Sequence, residues 1–136
     1  MSYGVASALQ AAVYQRVSSD PAVIGLVGSA IYDALPPGSL PATYVTLGPE
    51  NVRDKSDKSG RGALHTITIS VVTDSAGFQT AKDVAAAISD ALDGSDLTLT
   101  RGALIYLNFD RALAKLEGTG AQRRIDLRFR ARVEDD

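Results

Sequence analysis

The stretch that most constrains the fold is RRIDLRFRARVEDD, residues 123–136. Within it Ile125, Leu127, Phe129, Ala131 and Val133 alternate strictly with Arg124, Asp126, Arg128, Arg130 and Arg132. A period of two predicts a β-strand with one apolar face and one charged face, because successive side chains leave a strand on opposite sides. The apolar face needs a covering layer. Same-face guanidiniums about 6.6 Å apart repel one another unless acids or solvent answer them. A second alternating run, LHTITISVVTD, sets Ile67, Ile69 and Val71 against Thr66, Thr68 and Ser70. Two half-buried strands of this kind call for helices on one side, and the chain supplies the helical patterns.

Val5, Ala8, Leu9, Ala12, Val13 and Val17 recur at three- and four-residue spacing, with Ser2 as the candidate cap. That spacing predicts an amphipathic helix. DPAVIGLVG reads as a short helix, with Asp20 as N-cap, Pro21 at the first helical position and Gly28 past its end. From Ser75 the period turns helical again, through Phe78, Ala81, Ala85, Ile88 and Leu92, with Gly94 as terminator. Strands are predicted at Ile31 and Tyr32, at ATYVTLG ending on Gly48 and Pro49, at Ala103 to Phe109, and briefly at LTLT. The turn at EGTGA joins the last two long strands, and Asp110 with Arg111 marks a candidate bulge.

The predicted class is α+β: an antiparallel sheet of about four main strands, two helices packed on one face and a long charged hairpin loop. The periodic apolar faces predict a core of Leu9, Val13, Ile67, Ile69, Val71, Phe78, Val84, Ile88, Ile105, Leu107, Ile125, Leu127 and Phe129. A length of 136 residues suits one domain over 1–136.

PENVRDKSDKSGRG, residues 49–62, interrupts this economy with seven charged side chains and one clearly apolar one, Val52. Its composition lacks the apolar area to offset the entropy of ordering. It reads as a charged arm, with Arg53, Asp54, Lys55, Asp57, Lys58 and Arg61 as contact residues, that orders against a partner. Asp54 and Asp57 resemble a calcium loop only loosely, since the turn position that requires glycine holds Ser59.

Chemistry is sparse. The chain has one histidine and no cysteine, so zinc sites and Cys/His or Ser/His clusters are nearly excluded, and no phosphate-binding or dinucleotide fingerprint occurs. His65 lies in phase with Ile67 and Ile69 and reads as a structural, hydrogen-bonded histidine. No enzyme, cofactor or metal is expected. Lack of a long apolar run argues against a membrane span, and lack of both a signal pattern and cysteine suits folding in a bacterial cytoplasm. The formal net charge of −2 covers an acidic body and a basic C-terminal segment. That balance is weak for a nucleic-acid binder, although the arginine face keeps DNA contact open.

The run DPAVIGLVGSAIYDALPPGSLPATYVTLGPE resembles the signature of small phage tail-completion proteins, the tail terminators of long-tailed phages and gene transfer agents. The resemblance rests on Asp20 and Pro21, Leu26 to Gly28, Ile31 to Asp33, the link at Leu35 to Gly38, and Pro41 with the strand from Tyr44 to Gly48. The opening MSYGVASALQAAVYQRVSSDP and the closing RRIDLRFRARVEDD are similar to the gene-transfer-agent branch.

The resemblance implies a structural virion protein at the head–tail junction. It would form a ring, usually a hexamer, that caps the tail tube, stops its polymerisation and meets the head connector, with DNA passing through the lumen. The alternatives are a head–tail connector or adaptor and, further off, a small DNA-binding module. In a ring, the face of Arg124, Asp126, Arg128, Arg130 and Arg132 would meet acids of the next subunit such as Asp83 and Asp90. The arm would reach a neighbour, the lumen or the tube.

Overall fold

The computed structural model describes residues 3–58, 60–118 and 120–135. Helices α1 (Ala6–Ser19) and α2 (Pro21–Val27) precede strands β1 (Ile31–Tyr32), β2 (Thr43–Asp54) and β3 (Gly62–Thr73). Helix α3 (Gln79–Leu92) and strands β4 (Ala103–Glu117) and β5 (Gln122–Glu134) complete the order. The strands form one sheet, β1-β2-β3-β5-β4. All long neighbours pair antiparallel, and only the two-residue β1 runs parallel, beside Val45 and Thr46 of β2. The α+β class is as expected, with four long strands plus β1 and three helices in place of two.

Local chemistry accounts for the elements. Asp20 accepts a hydrogen bond from the Val23 amide at 3.1 Å and Pro21 follows it, so α2 begins where the sequence predicts. Gly28 ends α2 at φ 60°, a conformation that glycine adopts without strain. The cap expected at Ser2 lies outside the described residues, and α1 starts after Val5 without a side-chain cap. Helix α3 begins at Gln79, later than the periodicity suggests, with Phe78 at its N-cap.

The helices cover one face of the sheet. Leu9, Val13 and Val17 of α1, Val23 of α2 and Val84, Ile88 and Leu92 of α3 join Val45, Ile69, Val71, Ile125, Leu127 and Phe129 in one core. A small second cluster, Ala30, Tyr44 and Val72, lies on the other face beneath Leu40 and Tyr32. Among the described residues no helix is long and apolar enough to cross a membrane.

Four expectations are corrected. Strand β2 does not stop at Gly48 and Pro49: a bulge between Leu47 and Glu50 absorbs them, and pairing resumes to Asp54. The charged stretch is therefore largely sheet, with Asn51, Val52, Arg53 and Asp54 opposite Thr66, His65, Leu64 and Ala63. LTLT is not a strand, although Leu97 is buried. Ile105 is not core; it is the extra residue of a bulge between Leu104 and Tyr106, which passes the inward positions to Leu104 and Leu107. Ile67 and Phe78 are partly buried at the core margin, and the other predicted core residues are buried.

Candidate functional site

The alternation of β5 holds along its length. Its five apolar side chains enter the core, so Arg124, Asp126, Arg128, Arg130 and Arg132 line the opposite face. That row is answered within the chain. Arg124 Nε donates to Asp126 Oδ1 at 2.8 Å, and Ser70 Oγ donates to the same oxygen at 2.6 Å. Lys115 Nζ stands 3.7 Å from Asp126 Oδ2. Burial pushes the Asp126 carboxyl up, but the bonds from Ser70 and Arg124 and the nearby cations outweigh it and hold the group below its ordinary range.

The second bulge of β4 falls between Phe109 and Arg111, as the sequence suggested, and turns Asp110 onto the arginine face. Arg128 Nε donates to Asp110 Oδ2 at 2.8 Å, and Arg130 Nη2 lies 3.6 Å from Asp110 Oδ1. With Arg130 half exposed, these pairs each contribute little to stability, about 1 kcal/mol or less. Their effect is to leave the row close to balanced, which weakens the case for phosphate binding by bulk charge. Asp83 and Asp90 sit exposed on α3, which packs on the other face of the sheet; Asp83 accepts from Gln79 Nε2 at 2.9 Å. A meeting of these acids with the arginine row therefore requires two copies.

The arm is a closed hairpin end. Asp54 Oδ1 accepts from the Ser56 amide at 3.1 Å and the Ser56 hydroxyl at 2.6 Å, which hold the carboxyl below its usual range. Asp57 and Gly60 bond across the tip at 3.0 Å, and the Lys55 amide donates to the Gly62 carbonyl at 2.8 Å. The two acids that suggest a metal loop thus act as turn residues. Arg53, Lys55, Lys58 and Arg61 remain exposed, while Ser59 lies outside the described residues.

Arm and arginine face, predicted separately, converge here. Arg132 Nη2 donates to the Lys55 carbonyl at 2.9 Å. A Cβ on Gly62 would come within 2.9 Å of that Nη2 and 3.0 Å of the Lys55 oxygen, so only glycine admits the crossing.

Two features escape sequence reasoning. Tyr3 donates to Glu50 Oε1 at 2.7 Å while Glu50 Oε2 lies 3.2 Å from His65 Nδ1, joining α1, β2 and β3 at one end of the sheet. The Glu50 carboxylate raises the Tyr3 hydroxyl pKa. His65 is fully buried, and its Nε2 has no hydrogen-bond partner among the described residues. Beside this trio opens a groove of about 780 Å³ between α1 and the β1 side of the sheet. The second missed feature is β4, whose apolar side chains stay largely on the surface. The long alternation-free apolar run of β4 was the available signal for it.

A charged hairpin end, a balanced ionic sheet face and an open apolar edge are the surfaces of a protein that works by contact. Residues 11–134 match the family described as Tail completion protein gp17, and the chain belongs to that family. Its role is structural, in tail completion, and not enzymatic. Among solved structures it is similar to a chain of the "Virion of native gene transfer agent (GTA) particle". The two are 61% identical with a TM-score of 0.94, over 98% of this chain and 99% of that one. No curated protein matches the chain.

Proposed function

We propose that this chain forms a ring of its own copies, a hexamer by the family resemblance, at the head–tail junction of a phage-like particle. The ring caps the finished tail tube, ends its polymerisation and presents a surface to the head connector, with DNA passing through its lumen. The observation that carries this reading is the likeness, at 61% identity and nearly full coverage of both chains, to a component of a gene transfer agent virion. Two surfaces support it. The arginine row runs beside the open sheet edge, where acids of a neighbouring copy, Asp83 and Asp90 among them, would meet it. The arm tip, with Lys55, Asp57 and Lys58, projects from one end of the sheet toward the tube or connector.

Electron microscopy of particles made with and without this chain tests the reading. Density for several copies is expected at the junction, and tails of uncontrolled length or without heads are expected when the chain is missing. The Arg128→Glu variant is expected to fold, because the inward face of β5 is untouched, and to give the same tail defect. Normal tails from that variant would return the arginine row to an ordinary solvated face.

A further inference from the structure

The sheet has two open ends that fit each other. At one end, β4 is the edge strand, fifteen residues long, and only Leu107 on it is buried. Ile105, Tyr106, Phe109, Leu113 and Leu116 are each between 41% and 56% exposed. The register places Phe109, Ala112, Ala114 and Leu116 on the same side as Phe129, Leu127 and Ile125, the helix side. There Phe109 packs edge-on against Phe129, but the strand beyond it has no helix above it, and Ala112, Ala114 and Leu116 are exposed. A long apolar edge strand without cover is a template for another chain.

At the other end, β1 spans only two residues and pairs with Val45 and Thr46, which leaves the outer edge of β2 from Leu47 to Asp54 without a strand partner. Above that edge runs the groove, roofed by α1, where Ala11 and Tyr14 are exposed. The charged residues that line it are both acidic, Asp33 and Glu50. The exposed charges on β4 include Arg111 and Lys115. One end therefore lacks a helix over an apolar, basic strand, and the other offers a helix over an acidic, strandless edge.

We infer that β4 of one copy seats along the β2 edge of the next, with Phe109, Ala112, Ala114 and Leu116 in the groove under that copy's α1. The inference rests on the proposed ring and names its seam. In a sheet continued this way β4 and β2 run antiparallel, because the order β2-β3-β5-β4 alternates direction at each step. The contact is head-to-tail, so each copy uses both ends and repetition closes a ring. A β4-to-β4 dimer is disfavoured because it would crowd Arg111 and Lys115 of both copies onto one seam.

The absence of cysteine makes the test direct. Ala11→Cys and Ala112→Cys single variants are mixed under mild oxidation, both as purified protein and in assembled particles. A disulfide-linked dimer is expected from the mixture and not from either variant alone. The double variant is expected to give a ladder of linked chains ending at the ring size. In the same assay Leu116→Glu should reduce the linked fraction at least tenfold while its melting temperature stays unchanged. Linkage in the Ala112→Cys variant alone would replace the seam with a two-fold β4 contact. Several copies per particle without the 11–112 link would overturn the seam and leave the ring standing. A single copy per particle would remove both.

Discussion

Strands β4 and β5 lie side by side, paired along almost their whole lengths, yet they meet opposite fates. β5 has five apolar side chains and buries all of them; β4 has ten and buries one. The difference lies above and beyond the strands, not in them. β5 is flanked by β3 and β4 and covered by α3, whereas β4 has a neighbour on one side only and runs past the helix layer. Pairing satisfies a strand's backbone on one edge, but side-chain burial depends on a second layer. The lesson is that an apolar strand in excess of its own cover marks a surface meant for another chain.

That contrast can be tested from its strongest point downwards. Phe129 is fully buried at the centre of β5, and Phe129→Ala should lower the unfolding free energy by about 3–5 kcal/mol in chemical denaturation. A loss below about 1 kcal/mol would place β5 among the loosely covered strands with β4. Next in size is the entry to β4. Gly102 sits at φ 71°, and a Cβ there would collide with the Glu134 carbonyl and Val5, so Gly102→Ala should cost about 1–3 kcal/mol.

Asp126 links the two strands through Arg124 and Lys115, and its carboxyl is held below the ordinary range. A depressed folded pKa means that its stabilisation is fully present above the usual carboxylate pKa and is lost as pH falls through the depressed value. Melting temperatures should therefore fall as pH drops from about 4 downwards, and Asp126→Asn should flatten part of that decline. The smallest effect belongs to β4 itself. Leu116→Ser should change monomer stability by less than about 0.5 kcal/mol, since the side chain is already in solvent, while weakening self-association in sedimentation. A loss like that of Phe129→Ala would mean that β4 is covered within the monomer after all.

Much of this was legible in the residues alone. The period of two in 124–133 determined the two faces of β5, the helical spacings located α1 and α3, and Asp20, Pro21 and Gly28 bounded α2, because these signals depend only on neighbours in the chain. The family resemblance too was carried by the order of such local signals. What tertiary structure decided was everything that depends on register and layers. A one-residue bulge put Ile105 outside, another turned Asp110 onto the arginine row, and a third carried β2 through Gly48 and Pro49 into the charged arm. Bulges reverse the facing of every later residue, and no local pattern announces them with certainty of place. The uncovered edge of β4 and the roofed edge of β2 likewise exist only once strand order is settled, since cover is a property of the assembled layers and not of any segment.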